Sequence, residues 1–282
     1  MPRTVWLVTN AASGSNREEA IEELRLAFED AGLPVGRLLR FPDDALPTGE
    51  ELDAAGIGLV AVFAGDGTVN ALITSLYGWG GAILVLAGGT MNLLFRKLHG
   101  ERDSAEVIRA VAAGRARRCR PAIVRCEQGD GLAGIMAGPG TAWNDVREAM
   151  RQADLVGMAS SAVNAVQRSV AAPMIACSEP ALGRPEGYPL IVLTPGERGF
   201  AVDAYHSETI DEYLSQGLAL LKRDFREGPS DRLGMVSGLA VESAMEEPIG
   251  LLIDGEPADA GPSVRFVLAS CEVDLLAAGS DD

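Results

Sequence analysis

The sequence predicts an α/β domain over residues 1–120 followed by a β-rich domain over residues 121–282, with the extreme C-terminus a candidate to rejoin the first domain. Three observations point there. Short apolar runs alternate with helical patterns up to Arg120, the signature of a mostly parallel sheet flanked by helices. Beyond Arg120 the texture changes to short apolar runs separated by Gly, Pro and acidic turns, which reads as mainly antiparallel. The chain has 282 residues, close to the length at which single cores give way to two domains.

Val5 to Val8 is the first strand. Ser15 and Glu18 stand at capping-box spacing before Ile21, Leu24, Phe28 and Ala31, which recur on one helical face, and Gly32 closes that helix. Leu59 to Phe63 and Ile83 to Leu86 are short buried strands, each running into a glycine-rich turn. In the second domain the expected strands are Ala122 to Cys126, Leu190 to Leu193, Phe200 to Ala204, Met235 to Val241, Ile249 to Ile253 and Val264 to Ala269. Asn144 to Arg168 is expected to be helical.

Composition narrows the function classes. Hydrophobic residues make up 47% and charged residues 23%, which excludes a mostly disordered chain. With 24 Lys plus Arg against 40 Asp plus Glu, the net charge of −16 repels polyanions, so nucleic acid is excluded as the expected partner. Gly67 to Phe95 is the longest uncharged stretch, but its six glycines interrupt it, and we read it as helix, loop, strand and loop rather than a membrane span. The apolar run after Arg3 is too short for a signal peptide, so a cytoplasmic location is expected. Cys119, Cys126, Cys177 and Cys271 are scattered, and His99 and His206 lie far apart, so neither a disulfide framework nor a zinc site is expected.

Three turns of the first domain share one design, an apolar strand followed by small residues bearing a hydroxyl or an amide. They are Asn10-Ala11-Ala12-Ser13-Gly14, Ala64-Gly65-Asp66-Gly67-Thr68 and Ala87-Gly88-Gly89-Thr90-Met91-Asn92. Glycine lets the backbone approach a phosphate, and N–H groups at a helix start favour an anion. Together they would form a phosphate cradle at the strand ends, where ligands of open α/β sheets collect. Asp66 among these glycines would repel phosphate unless a divalent cation lay between them, which points to a magnesium nucleotide. The sequence has no G-x-x-x-x-G-K-[ST] P-loop, and Asn70 stands where a dinucleotide fingerprint needs glycine. A G-x-S-x-G elbow is also missing.

These three segments resemble the nucleotide-binding motifs of the diacylglycerol kinase catalytic-domain family, which includes sphingosine and ceramide kinases and bacterial lipid kinases and is similar in its first domain to NAD kinases. Asp254-Gly255-Glu256-Pro257 resembles that family's late D-G-E-P motif, so the resemblance extends along the whole chain. It implies an α/β nucleotide domain, a β-rich domain, an active site in the cleft between them, and transfer of the γ-phosphoryl group of ATP, with Mg2+, to a lipid hydroxyl. On this reading Asn10, Ser13, Gly14, Gly65, Asp66, Gly67, Thr68, Gly89, Thr90 and Asn92 hold the nucleotide, and Asp66 also acts through the metal. Asp254 is implied as general base and Glu256 as its support. The lipid, such as diacylglycerol, ceramide or a sphingoid base, would be met at the membrane surface, so peripheral membrane contact is implied.

From the residues alone the D-G-E segment has two readings. On an extended strand Asp254 and Glu256, two apart, face one way and can share proton or metal work. As Asp-Gly after Leu251, Leu252 and Ile253, the same segment is a type I′ hairpin turn. Nine basic and three acidic residues lie between Arg96 and Arg125, a stretch of +6 that suits lipid or nucleotide phosphates, or pairing with acidic surface. Two rivals to the lipid kinase stand beside it. An NAD kinase-like enzyme shares the G-D-G-T turn, and a catalytically inactive lipid-binding regulator would accommodate the departures from the family motifs at Ala11, Ala64 and Leu93.

Overall fold

The structure, a computed structural model, describes residues 4–10, 17–89, 91–139, 174–205 and 230–278. The chain divides into two compact units, Met1–Pro121 with Ser270–Asp282, and Ala122–Ala269.

In the first unit the elements run β1 (Val5–Asn10), α1 (Glu18–Asp30), β2 (Val35–Phe41), α2 (Gly49–Ala54), β3 (Leu59–Ala64), α3 (Asp66–Ser75), β4 (Ala82–Ala87), α4 (Leu93–His99), α5 (Ser104–Ala112) and β5 (Arg117–Cys119). All six residues of β3 are buried, as are the first five of β1 and of β4, which is why these strands read as continuous apolar runs. Helix α1 turns Ile21, Leu24 and Phe28 inward, and Gly32 follows it at φ +75°, a conformation glycine adopts without steric cost. The capping box expected at Ser15 and Glu18 is not what starts α1. Its N-cap is Arg17, without a side-chain cap, and Glu18 is the first helical residue. Capping boxes occur instead at Thr48 with Glu51 on α2 and at Asp103 with Glu106 on α5.

The second unit holds β6 (Ala122–Cys126), β7 (Gly129–Gly131), β8 (Ile135–Pro139), β9 (Ile175–Glu179), β10 (Ala181–Leu182), β11 (Leu190–Gly196), β12 (Gly199–Tyr205), β13 (Ser230–Val236), β14 (Gly238–Ser243), β15 (Ile249–Ile253), β16 (Glu256–Ala260) and β17 (Ser263–Ser270). They form two six-stranded sheets, ordered β10-β9-β14-β17-β6-β7 and β13-β12-β11-β8-β15-β16. Every pairing of the second of these sheets is antiparallel. One core joins both sheets, with Val124, Cys177, Leu239 and Phe266 from one and Ile135, Leu193, Phe200 and Leu251 from the other. The expected single strand Met235 to Val241 is two, broken at Ser237, so that β13 and β14 lie in different sheets. The apolar run conceals the break because residues on both sides of it serve the same core. The helix expected over Asn144 to Arg168 lies outside the described residues.

After the second unit the chain returns to the first, where β18 (Asp274–Ala277) completes a sheet ordered β2-β1-β3-β4-β18-β5. The pairings of β1, β2, β3 and β4 and of β4 with β18 are parallel, and β5 runs antiparallel to β18. Among the described residues, no helix is long and apolar enough to cross a membrane.

Candidate functional site

The parallel register brings the C-terminal ends of β1, β3 and β4 side by side, with Thr9 opposite Phe63 and Ala64 opposite Ala87. The residues at these strand ends, Asn10, Ala64 and Ala87, are therefore neighbours in space. Asn10, the last residue of β1, donates its side-chain amide to the hydroxyl of Thr68 at 2.8 Å, and Thr68 is nearly buried in the first turn of α3. Gly65 caps α3, and Asp66 is its first residue, at a helix end where geometry leaves N–H groups without intrahelical acceptors. The Asp66 Oδ1 accepts from the backbone N–H of Leu94 in α4 at 3.4 Å, a long contact that ties the second turn to the third.

The third turn fits against the second backbone to backbone. A Cβ on Gly88 would lie 2.4 Å from the Ala64 nitrogen, and one on Gly89 would lie 2.6 Å from the Gly65 Cα, so no larger residue fits without displacing a strand end. Asn92 closes the turn in the left-handed region at φ 51°. Its side-chain oxygen accepts from the Gly89 N–H at 2.8 Å, and its amide donates to the Gly89 carbonyl at 2.9 Å. Asn10, Gly65, Asp66, Gly67, Thr68, Gly89 and Asn92 are thus gathered at one edge of one sheet. Ser13, Gly14 and Thr90 lie outside the described residues.

In the second unit, Asp254 and Gly255 form the two-residue turn between β15 and β16, with φ of 49° and 88° and Ile253 opposite Glu256. This is the type I′ geometry, so the extended-strand reading of Asp254 and Glu256 is corrected. The turn reading alone is also incomplete. Asp254 is buried, and its carboxylate accepts from the backbone N–H groups of Leu132 at 2.8 Å, Ala133 at 2.8 Å and Gly134 at 3.0 Å. Glu256 is exposed. Sequence reasoning missed these three amides, although the glycine-rich Gly129-Asp130-Gly131-Leu132-Ala133-Gly134 marks a segment whose backbone bends.

The arginine-rich stretch is partly spent on internal pairs. Arg118 and Arg120 both meet Asp274 on β18, at 3.2 and 2.7 Å, and Arg125 grips the buried Asp130 with two 2.7 Å bonds. Arg109, Arg115 and Arg117 are exposed. Burial raises the thiol pKa of Cys119, Cys126 and Cys177, the last to about 11, which keeps these thiols protonated and unreactive. Among the described residues, no group of three or more His, Cys, Asp or Glu gathers to hold a metal ion.

Residues 4–123 match the sequence profile of the diacylglycerol kinase catalytic domain. A comparison with the curated proteins finds no match. Among solved structures, the chain is similar to a candidate diacylglycerol kinase from Bacillus anthracis str. Sterne, at 15% identity and a TM-score of 0.63 over 98% of this chain and 95% of that one. A structure described as a diacylglycerol kinase from the same organism is also 15% identical, with a TM-score of 0.61 over 98% of this chain and 97% of that one. Likeness at this identity speaks for the fold, whereas the profile match falls on the segment that carries all three turns. The likeness to the diacylglycerol kinase catalytic domain thus rests on residues 4–123, the segment that runs from β1 through β5.

Proposed function

We propose that the protein is an ATP-dependent lipid kinase, transferring the γ-phosphoryl group to a hydroxyl of a membrane lipid such as diacylglycerol, ceramide or a sphingoid base. The observation that carries this reading is the backbone contact of Gly88 and Gly89 with Ala64 and Gly65 beside the Asn10–Thr68 bond. It concentrates small residues and a helix start where a polyphosphate can approach closely. In this reading the Asp66 to Thr68 backbone and the Gly89 turn hold the phosphates, with Ser13, Gly14 and Thr90 contributing from the same motifs, and Asn10 and Asn92 keep the two turns in shape. A bound magnesium ion would neutralise phosphate charge, and Asp66 is the carboxylate nearest the turns by sequence.

The acceptor proton falls to the Asp-Gly-Glu segment. Three N–H donors already occupy the Asp254 carboxylate, so we exchange the two roles expected from the resemblance. Glu256, exposed at the start of β16, takes the proton, and Asp254 holds the turn that carries it. Phosphoryl transfer asks the protein mainly for positioning and charge neutralisation, which suits this sparse set. The exposed Arg109, Arg115 and Arg117 are available to anionic headgroups.

Incubation with radiolabelled ATP, magnesium and a total lipid extract tests the reading, with a labelled lipid as the expected product and Asp66→Asn as a variant that loses it. Labelled NADP in a parallel incubation with NAD in place of the lipid extract would favour the NAD kinase-like reading. Binding to liposomes without any label transfer would favour an inactive regulator.

A further inference from the structure

His99 closes α4, and its imidazole is completely buried between β4 and the residue that follows β18. Nδ1 faces the backbone N–H of Ala278 at 3.2 Å, and Nε2 faces the Val85 carbonyl of β4 at 3.1 Å. A backbone N–H can only donate, so Nδ1 is the acceptor and the ring hydrogen sits on Nε2, directed at Val85. The β4–β18 ladder pairs Asp274 with Ala82 and Leu275 with Ile83, and the imidazole links β4 to the chain just beyond the end of β18. Arg102 seals the junction by donating to the Ala278 carbonyl at 2.5 Å and to the His99 carbonyl at 3.3 Å.

The other end of α4 opens from the third turn, through Asn92 and the Leu94–Asp66 contact. Seven residues are too few for a helix to persist in water by itself, so α4 is held by the burial of Leu94, Phe95 and Leu98 and by an anchor at each end. One anchor is the turn gathered around Gly65 and Gly89, and the other is the C-terminal segment.

We infer that His99 and Arg102 are positioning residues, and that through α4 they link docking of the C-terminal segment around Ala278 to occupancy of the Gly65–Asn92 turns by a nucleotide. The inference rests on the reading of those turns as the nucleotide site and adds a linkage to it. If a docked C-terminus strengthens nucleotide binding, a bound nucleotide must strengthen docking by the same factor.

Hydrogen exchange of the wild-type protein with a non-hydrolysable magnesium nucleotide tests the first arm. Slowed exchange is expected both at residues 65–69 and at the Ala278 amide, by about 5-fold or more. The second arm uses Ala278→Pro, which removes the N–H that His99 accepts and leaves α4 untouched. Arg102→Gln, at a part-buried side chain, is the companion should the proline variant not fold. The nucleotide Kd is expected to rise in these variants by the factor read from Ala278 exchange, while kcat at saturating nucleotide is kept. Protection at residues 65–69 with unchanged exchange at Ala278 and an unchanged Kd overturns the linkage and leaves the nucleotide reading standing. Absence of protection at residues 65–69 overturns the nucleotide reading, and the linkage falls with it.

Discussion

The Asn10 side-chain amide donates to the Thr68 hydroxyl at 2.8 Å, joining the end of β1 to the first turn of α3 across 58 residues of sequence. Because β1 and β3 are already paired in register, this bond ties the end of β1 to the start of α3 rather than holding the sheet together. Asn10→Ala is therefore expected to leave secondary structure intact and to raise the KM for ATP about 5-fold, the effect of one hydrogen bond of roughly 1 kcal/mol. Steady-state kinetics beside a circular dichroism melt checks this. An unchanged KM would remove the bond from the nucleotide site.

Gly88 and Gly80 make a matched pair for testing the close approach. An alanine Cβ at Gly88 would collide with the Ala64 nitrogen and the Phe63 carbonyl carbon, whereas at Gly80 it would meet nothing within 4 Å. Gly88→Ala is expected to cost about 1–3 kcal/mol, as overpacking does, and Gly80→Ala close to nothing. Thermal denaturation of the two variants compares them. Equal melting temperatures would show that the strand ends separate more readily than the distances imply.

Asparagine serves a type I′ turn as well as aspartate does, so a bare turn would tolerate Asp254→Asn. The carboxylate instead receives three N–H groups, and an amide must point its own NH2 at one of them. Asp254→Asn is expected to lose about 1.5–3 kcal/mol, the range for hydrogen bonds to a charged group. Glu256→Gln should keep its stability, because the residue is exposed, and lose roughly 10² to 10⁴ in kcat if it accepts the proton. Urea unfolding and turnover on both variants separate the two roles. A stable, fully active Glu256→Gln enzyme would return proton transfer to another group.

His99 carries a pH prediction. Burial pulls its pKa from 6.5 down to about 4, and the nearby Arg102 charge adds to the shift while the Val85 bond opposes it. The unfolded chain holds more protons than the folded one between those pH values, so stability rises with pH across that window. The contribution of the neutral imidazole is complete above about pH 6.5 and is lost as pH falls toward 4. Nitrogen-15 spectra of the ring should show a neutral, Nε2-protonated tautomer at pH 6. A His99 signal that titrates near 6.5 would contradict its burial.

Much of the first unit was legible in the amino-acid order because its causes are local. Val5 to Val8, Leu59 to Phe63 and Ile83 to Leu86 are apolar throughout, as strands covered on both faces must be, and the turn after the last carries Gly88 and Gly89, which close backbone approach explains. The strand ends from which the three turns start followed from that pattern, and so did the likeness of residues 4–123 to the diacylglycerol kinase catalytic domain. The break at Ser237 did not, because β13 and β14 send side chains into one core from different sheets and leave the hydrophobic pattern continuous. Long-range pairing decided the rest. Asp254 meets amides more than 100 residues earlier in the chain, and Ala278 reaches back to His99 across 179 positions. Sequence spacing can place a carboxylate on a turn or an imidazole at the end of a helix. Which backbone groups arrive to bond them depends on where the fold returns the chain, so the three amides that meet the Asp254 carboxylate and the anchorage of α4 were set by tertiary structure alone.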